Sequence, residues 1–212
     1  TEARFANCKM DIVIKRLNLR YNQDKTVCLV MGSRKQRKDI SIELEIDPLK
    51  CGDFETESKQ SIKWLGQILS SGGLAESVAA TVESREGKIR GACLEISQIV
   101  NDWRSRAVGG METALLLWES CCIPSLLNGA GTWTDITSET EKKLNKTQSW
   151  FLRLIFQIGQ GAPLASLLWD SGFLEMGLRI KIEKLLLVLH IRNLNENSLE
   201  RKIYEKQKKL SW

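Results

Sequence analysis

Tryptophans that stand beside cationic residues are the side chains in this sequence best suited to chemistry. The sets are Lys63 with Trp64, Trp103 with Arg104 and Arg106, and Trp150 with Arg153. An aromatic ring can stack on a nucleic-acid base while a neighbouring cation contacts phosphate. Packing in an apolar core is the alternative interpretation of each tryptophan. The pattern therefore predicts candidate contacts with a nucleic-acid strand, and core packing remains open.

Other chemistries find little support. His190 is the single histidine and lies in an apolar helical pattern, without a clearly placed serine for a catalytic triad. The carboxylates are dispersed and no Asp-Asp pair occurs, so the sequence predicts no metal site. The six cysteines include no CxxC pair, and most lie in apolar runs. Free thiols in an intracellular protein of the nucleus or cytoplasm are expected, with a disulfide framework as the alternative.

The charge is unevenly distributed along the chain. The formal net charge is +5, and residues 136–212 hold 13 basic and 8 acidic residues. Such a surplus attracts phosphate. The most apolar window, 180–194, is interrupted by charged side chains, so we expect no membrane-spanning segment.

The first 73 residues carry a helical pattern and several strand patterns. Apolar residues at helical spacing begin the chain, and Ile40, Ile42, Leu44 and Ile46 alternate with polar residues as in a one-sided strand. The segment before them, 33–39, is basic and predicts a loop. The patterns predict a helix over 5–19 and strands over 25–32, 40–46, 50–54 and 61–69.

From Leu74 onward the spacing becomes helical. It predicts helices over 74–100, 110–127, 144–158, 163–170, 178–189 and 199–210, the second of them buried. The fold class expected is α+β and predominantly α, with an N-terminal helix and a small antiparallel sheet followed by a helical bundle. We expect two domains, 1–73 and 74–212.

Three motifs in this order resemble the reverse transcriptases of non-LTR, LINE-type retrotransposons. The first runs from Leu19 through Asn22, Lys25 and Thr26 into an apolar strand. The second is the run 62–66, which is similar to the family's KYLG hairpin with tryptophan in place of tyrosine or phenylalanine. The third is the tail, with the sets Ala114 and Trp118, Ile123 to Asn128, Trp133, Asn145, Arg153, Gly172 to Leu174, and Met176.

The resemblance implies roles for particular residues. Lys25 matches a lysine that could donate a proton to the leaving pyrophosphate; a surface lysine at a strand start is the alternative. The residues that match the primer grip are Lys63, Trp64, Leu65 and Gly66. Residues 1–73 would be the C-terminal part of the palm, and the helices after Gly73 would form a thumb that grips the template–primer duplex by its backbone. The candidate cations for nucleic-acid binding are Arg104, Arg106, Arg153, Arg179, Lys181 and Lys184.

The sequence departs from the family in one important respect. The catalytic aspartates of the family, which hold Mg²⁺ in the parent polymerase, have no counterpart in this sequence. We therefore expect a fragment that is inactive alone and works with the upstream palm and fingers of the same polyprotein, an RNA template and a DNA primer. The alternative is a helical protein-interaction or scaffold remnant of a mobile element.

Overall fold

The fold class is α+β and predominantly α, as expected. A computed structural model of the chain describes residues 16, 17, 20, 22, 26–51, 54–104 and 109–210. The helix predicted over 5–19 falls almost wholly outside the described residues. The chain divides into two compact units, 1–81 and 82–212, which are described separately below.

The strands of the first unit form three two-stranded pairings. The strands are β1 (Val27–Leu29), β2 (Lys50–Cys51), β3 (Phe54–Glu55), β4 (Glu57–Lys59), β5 (Ser61–Trp64) and β6 (Gln67–Ser70). β2 pairs with β3 and β5 with β6 in antiparallel fashion, whereas β1 pairs with β4 in parallel. Two of the three pairings are thus antiparallel as expected, and the parallel β1–β4 pairing departs from the expectation.

The segment predicted as a loop and a strand over 33–46 is instead a helix, α1 (Arg34–Ile46). Ser33 and Gln36 form a capping box: Ser33 Oγ accepts from the Gln36 N–H, and Gln36 Oε1 accepts from the Ser33 N–H. No residue of α1 is buried. Alternating apolar residues make a strand only where a neighbour covers one face. Without such a neighbour, the capping box and the Arg, Lys, Gln and Glu helix formers decide the conformation.

The helices predicted after Gly73 are confirmed, and one of them is irregular. They are α2 (Leu74–Arg104), α3 (Gly110–Leu117), α4 (Ile123–Leu126), α5 (Ser138–Phe156), α6 (Leu164–Ser171), α7 (Met176–Asn193) and α8 (Leu199–Leu210). A π-helical turn, Trp118–Cys122, joins α3 to α4. Pro124 has no N–H to donate to the carbonyl four residues earlier, which accounts for a widened turn just before it.

The core of the second unit forms where α5 meets the π-helical turn. The rings of Trp118 and Phe151 stack at 4.4 Å between centroids, and both residues are fully buried. A polar contact joins α2 to α5: Glu86 of α2 accepts a hydrogen bond from Thr147 of α5 at 3.1 Å. Glu86 also accepts from Arg90, one turn further along α2, at 2.8 Å. The helix predicted over 110–127 was expected to be buried, but it is buried on one side only: Met111 and Leu116 are exposed.

α7 packs closely on a short 3-10 turn, Ala130–Thr132. A Cβ on Gly131 would lie 3.1 Å from the carbonyl oxygen of Glu183 in α7, so only glycine allows this approach without movement. The start of α7 is fixed by α5: Asn145 Oδ1 accepts from the Met176 N–H at 3.0 Å, and Gln148 Nε2 donates to the Leu174 carbonyl at 3.1 Å.

Candidate nucleic-acid interface

β5 and β6 form a two-residue hairpin whose tip is exposed. The sequence pattern predicted one strand over 61–69, but the chain reverses at Leu65 and Gly66, and Trp64 faces Gln67 across the hairpin. The side chains of Trp64 and Leu65 are 61% and 77% exposed. Large apolar side chains at a hairpin tip are usually buried or replaced by turn formers. The tip therefore presents an uncovered aromatic and aliphatic surface.

The backbone at the tip is strained. Leu65 has φ +46° and Gly66 has φ +79°, as in the turns that match the right-handed twist of hairpin strands. Glycine tolerates a positive φ, whereas leucine pays a steric penalty there. Asn-Gly is the favoured pair at such positions. Leu65 is exposed, so the strain at this position is not offset by burial of its side chain.

Helix α2 anchors the base of the hairpin. The hydroxyl of Thr81 accepts from the Ile68 N–H at 2.8 Å, and the hydroxyl of Ser77 accepts from the Ser70 N–H at 2.8 Å. Both hydroxyls come from the first two turns of the helix and are buried. β6 is thus hydrogen-bonded to α2 at two points along its length.

Two of the predicted phosphate-binding arginines have partners inside the second unit. Arg179 donates to both carboxylate oxygens of Glu119 and lies over the ring of Phe173. Arg153 donates to the Ala162 carbonyl oxygen at 2.7 Å and to the hydroxyl of Ser149. These guanidinium groups hold the helices and the loop after α5. Their side chains are therefore structural in the free protein.

The other predicted cations are placed differently. Lys63 and Lys181 are exposed and Lys184 is half-buried. None of these three lysines forms an ion pair with another residue in the described ranges. Arg104 ends α2, but its side chain, like Lys25 and Arg106 as a whole, lies outside what the structure describes.

The tryptophans lie in different environments. Trp118 and Trp133 are buried, as the core-packing alternative expects. Trp150 lies under the guanidinium of Arg90, at 5.5 Å, rather than beside Arg153 as the sequence spacing suggested. Trp169 of α6 is 89% exposed, which the sequence pattern did not single out.

Sequence reasoning also missed a basic surface on α1. Its first two turns contain Arg34, Lys35, Arg37 and Lys38. Three of them line a cleft of about 940 Å³ in the first unit. The signal was present as the basic run over 33–39, but its interpretation as a loop left it without a position.

A metal role finds no ligand set in the described part of the chain. There, no group of three or more His, Cys, Asp or Glu side chains converges as metal ligands would. Separately, no described helix is both long and apolar enough to cross a bilayer.

Comparison with protein-family models, with curated proteins and with solved structures gave no match. The function proposed next therefore rests on the residues and their geometry, together with the resemblance of the motifs.

Proposed function

We propose that this chain is a nucleic-acid-binding part of an RNA-directed DNA polymerase of the non-LTR type. In this proposal the β5–β6 hairpin contacts the end of a DNA primer, and the second unit (82–212), the helical unit, grips the template–primer duplex. The order of the motifs along the chain supports it, because the hairpin run 62–66 precedes a long helical region. The chain would position the substrate, while the parent polymerase would supply the catalytic aspartates and Mg²⁺.

The exposed tip formed by Trp64 and Leu65 is the observation that carries the proposal. A primer terminus offers a base face for stacking on the indole and a sugar edge for apolar contact. Stacking tolerates any base, which suits a polymerase that extends many sequences. The strained backbone at Leu65 and the two hydroxyl anchors on β6 would hold the tip in one orientation, as a positioning element requires.

Exposed lysines are better suited to the duplex contacts than the two arginines. Arg153 and Arg179 already satisfy carbonyl and carboxylate partners, and moving them to a phosphate would break those contacts. Lys63 lies beside Trp64, and Lys181 lies on the exposed side of α7. Phosphate contacts of this kind would read the shape and charge of an RNA-containing duplex rather than its sequence.

Filter binding to a primed RNA template over a range of salt concentrations tests this function. A gripping protein should lose affinity steeply as salt rises, because each phosphate contact releases counterions. It should also prefer the primed template to the same RNA without primer, and Trp64→Ala should reduce that preference. Binding that is absent or insensitive to salt would contradict the proposal.

A protein-interaction module is the second candidate, and one specific feature favours it. Leu178, Ile182, Leu185 and Leu189 lie on one side of α7 at helical spacing, and all four are exposed. A row of this length is typical of a helix that packs against a partner helix. Loss of self-association or partner binding in Leu185→Gln, with no binding to RNA by the unmodified chain, would favour this candidate.

A further inference from the structure

The first two turns of α1 concentrate positive charge at an unusual place. Arg34, Lys35, Arg37 and Lys38 occur within five positions, and the first turn contains no acidic residue. The N-terminus of a helix is the positive end of its dipole, so cations there are unfavourable. The capping box of Ser33 and Gln36 already satisfies backbone N–H groups. A ligand at this surface would therefore meet side chains rather than the helix backbone.

These cations line a cleft and do not simply face solvent. The cleft has a volume of about 940 Å³, and Arg34, Arg37 and Lys38 form part of its wall. Its remaining wall is rich in hydroxyl and amide groups, which donate hydrogen bonds to phosphate and sugar oxygens. These groups come from Ser41, Ser58, Gln60, Ser61 and Ser71. The hydroxyls of Thr56 and Ser70 also lie in the wall but donate to the Leu49 carbonyl and to Glu76.

Most of the acidic groups in the cleft have partners. Glu57 pairs with Lys59 at 3.1 Å and Glu55 with Lys50 at 3.8 Å. The carboxylate of Glu76 accepts a hydrogen bond from the Ser70 hydroxyl at 2.8 Å. Glu45, the remaining one, lies seven residues beyond Lys38, about 10 Å along the helix. The lining therefore holds four cations, which are Arg34, Arg37, Lys38 and Lys59, and four carboxylates. None of the three cations of α1 forms an ion pair with a carboxylate among the described residues.

Arg37 is held in place with unused donor capacity. Its Nη1 donates to the hydroxyl of Ser71 at 3.1 Å. Its Nε is buried and has no hydrogen-bond partner in the described part of the chain. The Nε atoms of Arg90 and Arg153 are likewise buried without a partner among the described residues, so what distinguishes Arg37 is its place in the wall of the cleft. The planar fork of a guanidinium matches a phosphate well. Arg34 and Lys38 are exposed and form no ion pair among the described residues, so they too are available to an anion.

We propose that this cleft binds the phosphodiester backbone of a nucleic-acid strand. Ser61 and Ser70 line the cleft and form the open end of the β5–β6 hairpin. Trp64 lies three residues further along β5, which corresponds to about 10 Å. The cleft would therefore contact the same strand whose end meets the hairpin tip. The choice of nucleic acid as ligand rests on the function proposed above.

A charge-removal experiment with a matched control tests the cleft. Lys38→Gln and Lys35→Gln remove the same charge from the same helix, but only Lys38 lines the cleft. The double variant Arg34→Gln with Lys38→Gln removes more of the site and leaves the Arg37 bond to Ser71 intact. The probe is a labelled RNA of mixed sequence, alone and annealed to a DNA primer, with affinity measured by fluorescence anisotropy at several salt concentrations.

The double variant is expected to bind about tenfold more weakly at low salt. The slope of log affinity against log salt should become shallower by about 1 to 2. Lys38→Gln should show part of this loss, and Lys35→Gln should change affinity by less than about twofold. Circular dichroism should be unchanged; if the double variant does not fold, the comparison of the two single variants decides the question.

Failure of the cleft proposal and failure of the proposed function would give different results. Equal affinities and slopes for Lys38→Gln and Lys35→Gln, with tight binding by the unmodified chain, would overturn the cleft and leave the proposed function standing. A cleft effect without any effect of Trp64→Ala would support the cleft and contradict the primer-end role. If the unmodified chain binds neither probe, both proposals are wrong.

Discussion

The guanidinium of Arg179 in α7 donates two hydrogen bonds to the carboxylate of Glu119 in the π-helical turn, one of them at 3.0 Å. The Arg179 side chain is only 15% exposed, and its Nε reaches the Leu174 carbonyl at 3.3 Å. A cation chosen from the sequence as a nucleic-acid contact is therefore part of the internal packing of the helical unit.

Arg179→Ala should lower the free energy of unfolding by about 2 kcal/mol, because a half-buried carboxylate loses a charge-assisted donor. Urea denaturation followed by circular dichroism measures this change. Lys181→Ala, two residues away and exposed, is the matched control and should change stability by less than about 0.5 kcal/mol. Equal stability of the two variants would show that the Arg179–Glu119 pair contributes nothing measurable.

At the hairpin tip, a substitution that relieves the backbone strain should raise stability and weaken binding. Leu65→Asn should raise the free energy of unfolding by about 1 kcal/mol, because asparagine tolerates the positive φ that strains leucine. The same variant should bind primed template more weakly, since it removes the apolar tip. Gly66→Ala should lower the free energy of unfolding by about 1 kcal/mol, because alanine, unlike glycine, is strained at the positive φ of this position. A destabilised Leu65→Asn protein in thermal unfolding would contradict this account of the turn.

The stack of Trp118 on Phe151 should dominate the core of the helical unit. Phe151→Ala removes a fully buried ring and should cost about 3 to 5 kcal/mol in urea denaturation. Trp169→Ala removes an even larger aromatic side chain that is almost fully exposed, so its effect should stay within about 0.5 kcal/mol. A large loss in the Trp169 variant would mean that this ring packs against something in solution.

The cysteines should differ sharply in reactivity. Cys121 is exposed, whereas Cys51, Cys93 and Cys122 are buried. A hydrogen bond with Cys122, together with burial, raises the pKa of the Cys93 thiol. The thiolate is the reactive form. At neutral pH iodoacetamide should therefore modify Cys121 faster than Cys51, Cys93 and Cys122, as mapped by peptide mass spectrometry. Cys121→Ser should leave only slow labelling of the peptide that contains Cys122. Rapid labelling of Cys93 in the native protein would contradict its placement.

The helical half of the fold could be predicted because its apolar spacing is long and regular. The helix predicted from Leu74 begins at that residue, and the terminal helix over 199–210 has the predicted bounds. The failure at α1 has a local cause. Ile40 and Ile46 alternate as in a strand, but the capping box at Ser33 begins a helix and no element covers an apolar face.

The site was harder to predict than the fold. The hairpin run was identified by resemblance, and the structure gives it a two-residue turn with Trp64 and Leu65 exposed. Proximity to a tryptophan along the chain predicts Arg153 as a nucleic-acid contact, and the resemblance predicts Arg179, yet tertiary contacts decide which cations remain available. Glu119 lies 60 residues before Arg179, and no local pattern reveals that pairing.

Photo-crosslinking from the primer terminus tests the central claim most directly. A primed RNA template with thiothymidine as the last primer nucleotide is irradiated with the chain, and the crosslinked peptide is identified by mass spectrometry. Crosslinks should map to the β5–β6 hairpin at Trp64 or Leu65, disappear in Trp64→Ala, and persist in Trp169→Ala. Crosslinks confined to the helical unit, or none above the level obtained with unprimed RNA, would contradict the account.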